Sequence, residues 1–160
     1  MKNVYNSSPL IFLARLDFLE KCVDYSDKFY LPKFVFDEIS AKHDKASEHI
    51  KNLIDLGKIE VRTVNLVSLA DSLNERLGKG EAEAIALGIE LQADYTILDD
   101  FAARREAVRL GLNVKGTLAV IRKLSLDGKI TIDNTDRLYQ QLTEINFRVK
   151  RSLFDAIFAD

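Results

Sequence analysis

Two pairs of carboxylates bracket the segment GEAEAIALGIELQADYTILDD: Glu81 and Glu83 at its start, Asp99 and Asp100 at its end. The first pair opens a helical pattern and the second closes an apolar run that reads as a buried strand. Acids gathered at the ends of elements repel one another, and their pKa values rise when no cation neutralises them. A hard divalent ion such as Mg²⁺ or Mn²⁺ removes that penalty, because it prefers carboxylate and water oxygens. Two such ions can activate a water and stabilise the leaving oxygen of a phosphodiester. The bland alternative is that the same acids only cap helices and keep the surface wet.

Other chemistries lack their residues. The chain has no GxxxxGK[ST] and no GxGxxG, so nothing signals a loop that cradles phosphates. His43 and His49 are six apart and cannot share a helix face as a zinc-binding pair would; both read as exposed helix residues. Cys22 is the only cysteine, so no internal disulfide forms, and the expectation is core filling in a cytoplasmic protein. The start of the chain does not read as a signal peptide. No apolar run reaches the roughly 18 residues that span a bilayer, so no membrane partner is expected.

Charge is unevenly spread. The net charge is −2. Residues 1–100 hold 12 Lys+Arg against 18 Asp+Glu, whereas residues 101–160 hold 11 against 7. The acids therefore lie in one half. The basic half includes Arg104, Arg105 and Arg148, which could meet phosphates or simply form solvated helix faces.

The elements that must position these groups alternate. NVYN, KFYLP, KIEVRTV, DYTIL and NVKG read as short strands. Between them lie helical patterns. The first is a helix from Ser8 to Cys22, with Ser8 as cap and Pro9 in its first turn. Two short helices end at Gly57, and the next is closed by Gly78. EAEAIALGIELQA has its apolar residues on one stripe, and FAARREAVRLG and TLAVIRKLSLDG follow. Two terminal helices span about 136–159. Alternation of this kind predicts one α/β domain over residues 1–160, with a central parallel sheet of about four to five short strands and helices on both faces. Sites in such sheets form beyond the carboxyl ends of the strands. Asn6, Asp99, Asp100 and Thr117 all follow strands, and Glu81 sits at a helix start, where the helix dipole favours an anion.

Four stretches, NSSPLIFLARLDFL, LPKFVFDEI, GKGEAEAIALGIELQADYTILDDFAARREAVRLGLNVKGTLAVIRKLSLDGKI and INFRVKRSLFDAI, resemble the PIN-domain family. They are similar in particular to an uncharacterised prokaryotic PIN-like branch, related to the ribonuclease toxins of toxin–antitoxin pairs. The resemblance covers nearly the whole chain. It implies a three-layer α/β/α fold and a Mg²⁺- or Mn²⁺-dependent endoribonuclease, with RNA rather than DNA as substrate; an apolar helix face near FVFDEI or SLFDAIF would serve a homodimer or an antitoxin. It implies catalytic acids at Glu38, Glu81 and Asp99. The metal set would add Asn6, Glu83 and Asp100, and Ser7, Ser8, Arg104, Arg105 and Thr117 would lie near the substrate. Glu81 and Glu83 point about 200° apart on a helix, so Glu81 ranks first. The chain departs from the family at Asn6, where the first strand's acid is an amide, which can ligate but carries no charge. Two functions are therefore carried forward: a toxin-like ribonuclease with an antitoxin partner, and a catalytically weakened PIN-fold module that acts through protein contacts. A receiver-like switch on Asp99 and Asp100 has no other support.

Overall fold

The computed structural model describes residues 1–159. In chain order these residues form β1 (Lys2–Tyr5), α1 (Ser7–Arg15), α2 (Leu19–Cys22), β2 (Lys28–Pro32), α3 (Lys33–Ala41), α4 (Lys45–Asp55) and β3 (Glu60–Arg62). Then come α5 (Val67–Asn74), α6 (Lys79–Glu90), β4 (Tyr95–Ile97), α7 (Phe101–Arg109), β5 (Val114–Lys115), α8 (Thr117–Leu126), α9 (Thr135–Glu144) and α10 (Arg151–Phe158).

The strands make one sheet in the order β3-β2-β1-β4-β5, and every pairing is parallel. Parallel strands need long crossovers, and here helices supply them and cover both faces. One face carries a core of Leu10, Leu13, Leu31, Ile50, Ile121 and Phe154, among others, drawn from α1, β2, α4, α8 and α10. The opposite face packs Val4 and Leu98 against Ala82, Ile85 and Ala86 of α6, with Ala103 and Ala107 of α7. Small alanines let α6 lie close to the sheet. The result is the three-layer α/β/α architecture that the alternation of elements predicts.

β1 sits between β2 and β4, so the chain leaves it first toward one edge and later toward the other. That reversal opens a crevice at the carboxyl ends of β1 and β4. The Asn6 amide donates to the Ile97 carbonyl at 3.2 Å, which locks the two strand ends side by side. Asn6 and Asp99 are delivered to that crevice by this register.

Three local expectations need correction. The first helix starts at Ser7 with Asn6 at its cap position, not Ser8. It also does not run through to Cys22. Asp17 adopts a left-handed conformation (φ 61°) and the Phe18 amide donates to the Leu13 carbonyl, which ends the helix before the single turn of α2. Asp tolerates that conformation better than most residues. Gly78 does not close α5, which ends at Asn74; it is the extended cap residue of α6. The histidines also differ from expectation: His43 lies in the exposed connection before α4, and His49 is half-buried on α4. Cys22 is buried, and burial pushes its thiol up to about 12, as core filling implies. Among the described residues, no helix is long and apolar enough to cross a membrane.

Candidate metal centre and its acid cleft

Four helices, α1, α3, α7 and α8, begin within one to four residues of a strand's carboxyl end. Their amino termini, and that of α6, therefore border the same crevice and present positive dipole ends to it. This field suits carboxylates and, equally, a phosphate.

Asn6 is buried, at 5% exposure, and its Oδ1 has no hydrogen-bond partner. A buried carbonyl oxygen without a partner is costly and rare. The reason it stands free lies in α6. Gly80 has no side chain, and a Cβ there would sit 2.6 Å from Glu38 Oε1 and 3.2 Å from Asn6 Oδ1. Gly80 thus keeps open the space that these two oxygens face. Glu38, on the last turns of α3, is drawn above its ordinary value chiefly by desolvation, with Lys42 opposing and the Glu81 and Glu83 charges adding to the rise.

Glu81 occupies the third position of α6 and accepts a hydrogen bond from the Gly78 amide, the return half of a capping box. Its carboxyl is nonetheless raised, first by desolvation and then by the Asp100 charge. Asp99 is half-buried beyond β4. Its Oδ1 accepts from the Thr117 amide at 2.8 Å, and its Oδ2 from the Thr117 hydroxyl at 2.6 Å. Burial raises its pKa despite those bonds and the nearby Arg104. Arg104 donates from Nη1 to the Leu98 carbonyl at 3.2 Å, leaving it beside Asp99. Gly116 makes room for this, because a Cβ there would lie 3.1 Å from Asp99 Oδ1 and run into the Arg104 guanidinium.

Of the remaining expected residues, Asp100 and Glu83 have partners of their own, although their charges still reach Glu81 and Glu38 respectively. Asp100 caps α7, accepting from the Ala103 amide at 2.9 Å. Glu83 points toward α3, where the Phe34 amide donates to it at 3.4 Å. Ser7 is half-buried at the start of α1, and Ser8 is exposed. Arg105 is exposed on α7, on the flank shared with Arg76 and Phe101. Among the described residues, no three His, Cys, Asp or Glu side chains converge as a ready-made metal cage.

The donor set nevertheless fits a hard divalent cation. Mg²⁺ keeps several waters and takes only one or two protein carboxylates, the rest of its shell coming from water and substrate phosphate. Glu38, Glu81 and the orphaned Asn6 oxygen supply such a partial shell, all of them hard oxygens. Lys42 acts on Glu38 and Arg104 on Asp99, and neither pairs with Glu81. Sequence reasoning missed Gly80 and its role in leaving room for the Asn6 and Glu38 oxygens. The signal was present: a glycine within the first turn of an otherwise good helix marks a close approach. It also missed Phe147, and it named Arg148 only as a general basic residue; both border Asp99 from a distant part of the chain. No periodicity could place them.

The all-parallel sheet carries its acids at the switch point, where sites in such sheets form. A family model described as a PIN domain matches residues 2–160, and the chain belongs to that family. PIN domains are generally nucleases and typically use divalent metals. No curated protein matches the chain.

Proposed function

We propose that this protein is a Mg²⁺- or Mn²⁺-dependent endoribonuclease of the toxin type, restrained by an antitoxin protein. The observation that supports this most is the buried, unpartnered Asn6 Oδ1, which faces the same Gly80-lined space as Glu38. A group left unsatisfied at that place is explained if a cation or its water completes the bond.

Asn6, Glu38 and Glu81 would hold the ion, and Asp99 would join them. When bound, the cation supplies an acidic water and neutralises charge on the phosphodiester. The chain's own contribution is placement. Thr117 fixes both oxygens of Asp99, so that carboxylate loses little freedom when it engages. Arg104 offsets part of the cleft's negative charge and lies where an approaching phosphate would pass. Helix amino termini favour the same anion. The chain would act as a homodimer on single-stranded RNA, since an exposed strand can bend into a crevice that a stiff duplex cannot enter.

Asn6 favours one other reading. An amide in the place of the family's acid removes a charge, and a weakened site would leave a module acting by protein contacts. The test is calorimetric titration of Mn²⁺ into metal-free protein, with an RNA cleavage assay alongside. Binding and cleavage that both vanish in Glu81→Gln support the nuclease. No binding up to millimolar Mn²⁺ sinks it in favour of the module.

A further inference from the structure

A cavity touches Asp99. It has a volume of about 330 Å³ and lies between α1, the amino end of α8 and the chain from the α9–α10 connection into α10. Its walls include Phe12, Leu118, Phe147 and Leu153, and Arg104 and Arg148 stand at its polar edge. Sites for small ligands begin at about 300 Å³ and are mostly apolar with a few placed polar groups. The cleft is therefore large enough for one flat ring system and too small for a helix.

The connection that builds it is fixed. Asn146 takes a left-handed conformation (φ 65°), and the Phe147 amide donates to the Leu142 carbonyl at 2.9 Å. The Tyr139 hydroxyl donates to the Val149 carbonyl at 2.8 Å. Phe147 is set edge-on against Phe12, with ring centroids 5.0 Å apart. Phe154, fully buried, anchors the helix that follows. The bond from Phe147 to Leu142 belongs to the C-terminal cap of α9, in which an Asn tolerates the left-handed position, and it sets the direction in which Phe147 leaves the helix. Arg148 is exposed and has no hydrogen-bond or ion-pair partner among the described residues. An aromatic wall, an aliphatic floor and a free guanidinium beside a candidate metal acid are what an unstacked nucleotide requires: a face for the base and a cation for the phosphate.

We propose that this cleft, walled by Phe147, Leu118 and Leu153 and edged by Arg104 and Arg148, seats the base of the nucleotide adjoining the scissile phosphate. The proposal rests on the nuclease reading above. It makes the C-terminal segment the part of the chain that selects single strands. A base held in a duplex has no free face to offer.

The test uses the full chain, a fluorescein-labelled single-stranded RNA octamer and the Mn²⁺ titration. Arg148→Ala and Leu153→Glu change exposed side chains, so both variants fold. Each is expected to raise the Kd for the octamer, and the KM for its cleavage, about tenfold, in line with the loss of one stacking or cationic contact. Mn²⁺ affinity and kcat stay at the wild-type level, and an RNA duplex fails to compete. Wild-type octamer affinity in both variants overturns the base site while leaving the nuclease standing. Failure of the wild-type protein to bind either Mn²⁺ or octamer removes both. A shift from dimer to monomer in Leu153→Glu, measured by sedimentation with octamer binding unchanged, would show a second copy covering the cleft and would also overturn it.

Discussion

Glu81 and Glu106 are the same residue on helices that pack against each other, α6 and α7. Glu106 is nearly buried and fully engaged. Arg76 Nη2 donates to it at 3.0 Å and Arg109 Nε at 3.1 Å, with a second, shorter bond from Arg109. Those bonds hold its carboxyl at about 2, well below the usual range. Glu81 has only the Gly78 amide, and desolvation with the Asp100 charge pushes it the other way. Glu38 and Asp99 share that direction. The chain evidently has arginines to spend on a structural acid, yet gives none to Glu81. An acid whose charge the fold leaves uncompensated is one that a ligand can compensate. Direction of shift therefore separates these carboxylates more sharply than burial does.

The largest expected effect comes from removing a cleft charge. Glu81→Gln keeps the capping box, because Gln serves there as well as Glu. It should lower Mn²⁺ affinity and RNA cleavage by more than about 100-fold, since groups merely supporting a ligand are worth 10–100-fold. Calorimetry and initial rates read both. If Glu106→Gln had the same effect, the distinction between the two acids would collapse.

Gly80→Ala is a sharper probe. The new methyl meets the movable end of Glu38 at once and Asn6 Oδ1 closely. Ala is the better helix former by about 1 kcal/mol. Thermal stability should hold or rise while Mn²⁺ affinity falls about tenfold. A loss of stability with unchanged metal binding would show that Gly80 serves packing alone.

The order of strands and helices was legible because each element carries its own period and its own stop signals. Apolar alternation marked KIEVRTV, and one stripe of Ala82, Ile85, Ala86 and Ile89 marked α6. Placing Asn6, Asp99 and Thr117 needed only the rule that they follow strands in a parallel sheet. What differed was decided by individual bonds, some local and some distant in sequence, that no period carries. Asp17 breaks the first helix because a backbone bond to Leu13 rewards the turn. Asp100 caps α7, as the bland reading of these acids allowed, while Glu83 faces the start of α3, which a count of acids cannot reveal. Phe147 and Arg148 reach Asp99 only through the fixed connection after α9, some 48 residues further along the chain.

The smallest effect concerns pH and tests the comparison from its two sides. Glu106 has a folded value below its ordinary 4.5, so its contribution to stability is present above that value and is lost as pH falls toward 2. In Glu106→Gln the melting temperature should therefore drop relative to wild type at pH 7, and the gap should close on acidification. Glu81 is raised above its ordinary 4.5, so the sign reverses. The folded state binds its proton more tightly, and stability is lost as pH rises through the folded value. In metal-free buffer Glu81→Gln should match wild type near pH 4 and melt above it at pH 7, by a few degrees at most. Saturating Mn²⁺ should reverse that order, because the ion stabilises only the chain that binds it. Melting curves at the two pH values, with and without the ion, read all of this from two variants. An apo Glu81→Gln that melts below wild type at pH 7 would mean that its carboxylate serves the helix cap rather than a cation.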